Sequence, residues 1–255
     1  MKHRPRKQFG QNFLQDKQII AGILAAIDVE KTDKVVEIGP GLGALTHGLL
    51  QTLNDLTAIE IDTDLQAHLS SEKSFDGRLN LLCQDALTVD YSQWGKGLRV
   101  VGNLPYNIST PLLFRLISYL PWIKDMHFML QKEVVERLAA RPSTGAYGRL
   151  SILAQYYLEV DPLIEVPPAA FYPAPKVDST FVRLTPYLSS PYESVAFERL
   201  QSVVTQAFSM RRKTLRNNFK RLLNDEHFSK LGIDPSRRPE ELTIQDYVNI
   251  SHFFS

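Results

Sequence analysis

Glu37-Ile38-Gly39-Pro40-Gly41-Leu42-Gly43 follows the β-branched run Lys34 to Ile38 and opens the helical stretch Ala44 to Thr52. Glycines at a strand-to-helix turn let the backbone come close to a ligand, and with Ala44 the run also satisfies the relaxed pattern Gly-X-Gly-X-X-Ala. It predicts an α/β fold that binds a nucleotide without choosing between nucleotide classes. The next strand, Leu56 to Ile61, delivers Glu60 about twenty residues after the first glycine, the spacing at which an acid meets ribose hydroxyls. Asp62 and Asp64, just beyond, read as helix caps or solvated acids.

A third strand, Leu79 to Cys83, ends at Gln84-Asp85-Ala86, where Asp85 can accept a hydrogen bond from an adenine amine. A fourth, Leu98 to Val101, empties into Asn103-Leu104-Pro105-Tyr106. Pro105 removes a backbone donor and biases Leu104 toward an extended conformation. Asn103 offers a carboxamide oxygen, Leu104 a carbonyl and Tyr106 a flat ring, a set suited to a planar aromatic amine. The lone pair of such an amine is delocalised, and acceptors that hold its N–H groups draw that pair toward an electrophile. An isolated Asn-X-Pro-Tyr is also an ordinary strand end and turn. What predicts a single ligand-binding rim is the recurrence of Glu37, Glu60, Asp85 and Asn103 at successive strand ends.

Further along, Thr110 to Leu120 and Lys132 to Ala140 read as helices around a strand at Met126 to Leu130, and Tyr147 to Tyr157 as another helix. Leu163 to Val166 and Ser179 to Leu184 read as closing strands. Between these two strands, Phe171 to Ser179 is a proline-set loop in which Phe171 or Tyr172 can stack a base. Thr185 to Pro191 reads as a linker. Beyond it, Val195 to Phe208, Leu215 to Leu223 and Gln245 to Phe253 are helix-like, with no further strand signal. The expected domains are 1–186, beginning with a basic arm over 1–17, and 187–255.

The chain has 255 residues, 44% of them hydrophobic and 22% charged, enough for one substantial core and a smaller appendage. Its one cysteine, Cys83, excludes an internal disulfide and a cysteine-based zinc cluster, and no metal site is expected. No run approaches the roughly 18 apolar residues of a membrane span, and the N-terminus has no apolar signal core. The expectation is a cytoplasmic protein without a membrane partner. Formal net charge is +1, so a nucleic acid must meet a local patch. One candidate is the arm, where Lys2, Arg4, Arg6, Lys7 and Lys17 face Asp16 alone and interleave with Phe9, Phe13 and Leu14; it is expected to fold over a ligand. The other is Arg211, Arg212, Lys213, Arg216, Lys220 and Arg221, a run with no acid, suited to phosphate.

Together these motifs resemble the dimethyladenosine transferases of small-subunit ribosomal RNA. The resemblance rests on Gln11-Asn12-Phe13-Leu14, Glu37 to Gly43, Asn103 to Tyr106, Phe171 to Ser179, and Ala207-Phe208 with Arg211 to Asn218, in the family's order. It implies a class I methyltransferase fold, a Rossmann-like α/β sheet with helices on both faces, plus a small all-helical C-terminal domain. It also implies S-adenosylmethionine as cofactor and N6,N6-dimethylation of two adjacent adenosines in a hairpin loop near the RNA's 3′ end. Asn12, Leu14, Gly39, Glu60, Asp85 and Asn103 would then line the cofactor site, with Leu104, Tyr106 and Phe171 around the target base beside Asn103. The implied partner is small-subunit ribosomal RNA or an assembling small subunit, met by a monomer. Three other readings share part of the pattern. They are a large-subunit ribosomal RNA adenine methyltransferase of the resistance type, an assembly factor acting mainly by binding, and a nicotinamide-dependent dehydrogenase. The last leaves Asp85, Asn103 to Tyr106 and the basic run without work.

Overall fold

The structure is a computed structural model that describes residues 11–75, 77–210 and 212–254. The expected arm before Gln11, and Arg211 of the basic run, lie outside the described residues. The chain divides into two units: residues up to Val135 with Asp161–Pro186, and Glu136–Val160 with the residues from Tyr187 onward.

In chain order the strands are β1 (Phe13–Leu14), β2 (Lys34–Ile38), β3 (Leu56–Glu60), β4 (Leu79–Cys83), β5 (Leu98–Asn103), β6 (Ile123–Gln131), β7 (Leu158–Val166), β8 (Phe171–Tyr172) and β9 (Ser179–Pro186). Seven of them form a sheet in the order β4-β3-β2-β5-β6-β9-β7. Neighbours from β4 to β6 are parallel, and β9 runs antiparallel to β6. From β2 the chain steps outward to β3 and β4, then returns to lay β5 on the other side of β2. The strand order therefore reverses between β2 and β5, and an open α/β sheet binds its ligand outside the carboxyl ends of such a pair.

Residues 35–38 and all of β3 are buried, as expected of central parallel strands covered on both faces, so they read as continuous runs rather than alternating ones. Helices α1 (Lys17–Ile27) and α2 (Ala44–Thr52) supply Ile23, Ile27, Leu45 and Leu49 to a core that also holds Val35, Leu56 and Phe75, and that reaches Leu14 and Phe171. Each such aliphatic side chain stabilises the fold by about 1.5–3 kcal/mol. At the opposite end of β5 from Asn103, buried Arg99 pairs with Asp33 at 2.8 Å and Asp125 at 2.9 Å. The same guanidinium donates to the backbone oxygens of Ile27 (2.6 Å) and Asp28 (3.0 Å), closing the end of α1.

The remaining helices are α3 (Thr63–Ser70), α4 (Ser109–Ile117), α5 (Lys132–Leu138), α6 (Arg149–Gln155), α7 (Phe197–Ala207), α8 (Leu215–Phe219), α9 (Asp225–Leu231) and α10 (Ile244–Phe253). Asp62 caps α3, accepting the Asp64 N–H at 3.0 Å. The second unit buries Leu200, Val204, Phe219, Phe228, Tyr247 and Val248. It also takes in Glu136–Val160, which lies inside the expected first domain, 1–186. Packing outweighs chain order here: α6 buries Leu150, Ile152 and Leu153 and packs on α7. The two-residue strands β1 and β8 are too short for a periodic signal.

Candidate active site

A cavity of about 350 Å³ opens where β2 and β5 end, within the first unit. Asn12, Leu14, Gly39, Glu60, Asp85, Asn103, Leu104, Tyr106 and Phe171 all line it. Its floor is the glycine turn. Gly39, Gly41 and Gly43 take φ of +65°, +59° and +86°, a left-handed backbone that strains any other residue. Gly41 has a second reason, since a Cβ there would lie 3.1 Å from Phe13 Cδ1.

Three carboxylates face this space, and no Lys, Arg or His is among the described residues lining it. Glu60 Oε1 accepts the N–H groups of Ile61 (3.0 Å) and Asp62 (2.9 Å). Burial raises its pKa; the N–H groups of Asp62, Gly41 and Ile61 oppose that. A carboxylate has about four lone-pair sites, so this fixed group retains capacity for a diol. Asp85 Oδ1 accepts the Leu87 N–H at 2.9 Å, which pins that side chain at the rim. Glu37 lies deeper and accepts the Thr46 hydroxyl at 2.7 Å. Burial pushes it up to about 7, with the charge of Glu60 adding to the rise and the Thr46 hydrogen bonds opposing it. An acidic enclosure of this kind favours a ligand with positive charge.

Beside the carboxylates sits the amide pocket. The Asn103 side chain donates from Nδ2 to the Asn12 backbone oxygen at 3.0 Å, leaving Oδ1 as the acceptor edge. Tyr106 is held at both ends: its backbone oxygen accepts from Ser109 Oγ at 3.1 Å, and its phenol oxygen lies 3.2 Å from Ser179 Oγ. Phe171 is 5% exposed and faces the cavity, whereas Tyr172 is 61% exposed, the alternation of a strand. Of the two aromatics expected to serve the pocket, the strand turns Phe171 inward.

Residues 11–14 run across the cavity as a strap. Gln11 Nε2 donates to Asp62 Oδ2 at 2.9 Å, and β1 pairs antiparallel with β8, Phe13 opposite Tyr172 and Leu14 opposite Phe171. The sequence anticipates a segment folded over a ligand. It gives no partner for Gln11, Phe13, Thr46 or Ser179, whose partners stand nine to 159 positions away in the chain, as in Thr46 to Glu37 and Phe13 to Tyr172.

In the second unit, Arg212, Lys213, Arg216, Lys220 and Arg221 are all exposed. Arg216 Nε pairs with Asp225 at 3.0 Å. Buried Asn218 holds the backbone around Arg212 and Lys213: its Oδ1 accepts from Met210 N (2.9 Å) and Ser209 Oγ (3.1 Å), and its Nδ2 donates to the Lys213 and Thr214 oxygens, both at 3.3 Å.

The sheet with one antiparallel strand near its edge, the glycine turn and the acids at successive strand ends define a class I methyltransferase fold. Residues 2–255 match the family described as ribosomal RNA adenine dimethylase, and the chain belongs to that family. It is 60% identical over 255 residues, covering all of both chains, to the ribosomal RNA small subunit methyltransferase A of Legionella pneumophila subsp. pneumophila strain Philadelphia 1. It is 51% identical over 253 residues to the protein of that name from Shewanella loihica, covering 98% of this chain and 94% of that one. Among solved structures, a dimethyladenosine transferase from Plasmodium falciparum superposes with a TM-score of 0.83 at 28% identity, covering 95% of this chain and 97% of that chain. The 23S rRNA methyltransferase ErmE, at 24% identity and a TM-score of 0.74 over 94% of this chain and 98% of its own, shares the fold.

Proposed function

We propose that this protein dimethylates N6 of two adjacent adenosines in a hairpin loop near the 3′ end of small-subunit ribosomal RNA, using S-adenosylmethionine. The observation that carries the reading is one cavity, lined both by Glu37, Glu60 and Asp85 and by Asn103, Leu104, Tyr106 and Phe171. The family and the names of its relatives support the substrate class. The expected setting is the cytoplasm and the expected partner the small ribosomal subunit or its precursor, met by a monomer. Among the described residues no helix is long and apolar enough to cross a membrane.

The residues lining the cavity fit the cofactor. The glycine turn gives it close backbone approach, Glu60 is positioned for ribose hydroxyls and Asp85 for the adenine amine. The acidic lining suits a cation, and Asn12 and Leu14 cover the ligand from above. Bound there, S-adenosylmethionine supplies an electrophilic methyl group.

The target adenine must first leave its stack. Tyr106 and Phe171 then hold it between their faces, and the Asn103 oxygen and the Leu104 carbonyl accept its two N6–H bonds. Holding those protons draws the nitrogen lone pair out of the ring and aims it along the line of displacement. No general base is required before transfer, because the alkylated nitrogen becomes strongly acidic and gives up its proton to water or a nearby acceptor afterwards. Positioning carries the rate. Exposed Arg212, Lys213, Arg216, Lys220 and Arg221, with Arg211, take the RNA backbone.

The test is methyl transfer to small and large subunits purified separately from cells lacking the protein, followed by mass spectrometry of ribonuclease fragments of each ribosomal RNA. Two new N6,N6-dimethyladenosines at neighbouring positions are expected. Transfer to large-subunit RNA instead, or none at all, would overturn the proposal.

A further inference from the structure

Ser179 is fully buried at the head of β9, and its backbone is fixed opposite Gln131 of β6. Its hydroxyl lies 3.2 Å from the Tyr106 phenol oxygen. The proline-set loop therefore meets the cavity at both ends: Phe171 lines it, and the Ser179 hydroxyl contacts Tyr106, which also lines it. With Ser109 holding its backbone, Tyr106 has a fixed base and a fixed tip, so the plane of the ring is set by hydrogen bonds as well as by packing.

We propose that Ser179 is a positioning residue of the methyl-transfer site, anchoring the Tyr106 ring against which the target base stacks, and that the second of the two transfers depends on it most. The inference rests on the proposed function. An unmodified amine presents two N–H groups, and the Asn103 oxygen and Leu104 carbonyl hold both. After one methylation a single N–H remains, so one hydrogen bond is lost from the set that orients N6. The stacked ring then carries a larger share of the orientation. Loosening that ring slows the second transfer and leaves N6-monomethyladenosine behind.

The experiment compares Ser179→Ala, Tyr106→Phe and the double variant in single-turnover reactions on undermethylated small subunits, scoring mono- and dimethyladenosine separately. A parallel measurement follows fluorescence quenching of 2-aminopurine placed at the target position of an RNA hairpin. Each single variant should slow the second transfer about five- to tenfold, the scale of one neutral hydrogen bond, and the first transfer much less. The double variant should be no slower than either single one, quenching should weaken in all three, and cofactor affinity should stay unchanged. A general packing role for Ser179 would lower both transfers and cofactor affinity together. Tyr106→Phe removes the same bond without touching the buried serine, so it decides the matter if Ser179→Ala folds poorly. Wild-type product ratios in both single variants, or additive losses in the double variant, would overturn the role of Ser179. A wild-type protein that methylates no adenosine would bring down the proposed function, and this inference with it.

Discussion

The side-chain nitrogen of Asn103 donates to the backbone oxygen of Asn12, 3.0 Å away across 91 positions of chain. The strap that covers the cavity thus fixes which end of the carboxamide faces the target pocket. The proposed cofactor cover and the proposed amine acceptor are parts of one hydrogen-bonded unit.

Asn103→Ala should therefore lower methyl transfer about a hundredfold or more, the usual cost of one preorganised polar contact at a reacting centre. RNA binding should survive. Tyr106→Phe, which keeps the stacking ring, should cost far less. Single-turnover rates on undermethylated small subunits check both, and near-wild-type dimethylation by Asn103→Ala would refute the role given to it.

Glu60→Ala should weaken S-adenosylmethionine binding by roughly 1–3 kcal/mol, because the ligand's hydroxyls lose their acceptor on entering the site; the N–H groups of Ile61 and Asp62 lose theirs with or without ligand, at a cost to stability. Titration calorimetry measures this directly. An unchanged affinity would remove Glu60 from the cofactor site.

Glu37 predicts a pH dependence. Burial raises its pKa from the ordinary 4.5 to about 7, so the folded protein holds this proton more tightly than the unfolded chain. The stability it contributes is complete below the ordinary value and is lost as pH rises through the folded one. The ligand-free protein should lose stability between about pH 5 and pH 8, with a smaller loss in Glu37→Gln. A cation favours the ionised carboxyl, so cofactor affinity should rise with pH over the same interval, and more gently in the variant. Denaturation and binding curves that are parallel for the two proteins would contradict this.

Changing Arg212, Lys213 and Arg221 together to Ala should flatten the dependence of log RNA affinity on log salt, since fewer phosphates are neutralised, and should leave cofactor binding intact. An unaltered slope would reduce the run to a solvated surface.

Gly102→Ala should destabilise the fold by about 3 kcal/mol, the upper part of the range for an overfilled core. A Cβ at that position would lie 2.5 Å from the Ile38 backbone oxygen and 3.1 Å from Leu104 Cδ2, pushing β2 and β5 apart where the strand order reverses. Thermal denaturation of the variant reads the effect.

Much of the sheet was legible because its signals are local. Lys34 to Ile38 and Leu79 to Cys83 are short runs bounded by turn residues, and each strand end brings its own acid or amide to the rim. Helix α2 likewise starts at the last glycine of its turn. The second unit was less legible: nothing local in Glu136–Val160 says that α6 packs on α7 rather than on the sheet that follows it. The cavity lining was legible where a residue stands at a strand end, as with Glu60 and Asn103. It was not where two distant residues meet, as with Thr46 on Glu37 or Ser179 on Tyr106. A hydroxyl in a sequence carries no mark of the partner it will find.

The pairing of Leu14 with Phe171 limits how the enzyme can be rebuilt. A designer who imports residues 11–14 from another sequence also changes what lies opposite residues 171 and 172, and an insertion in either segment shifts both. The segment proposed to cover the cofactor and the one proposed to hold the target base cannot be exchanged as independent cassettes here. A working chimera has to carry the two segments as one transplant, although 156 residues separate them in the chain.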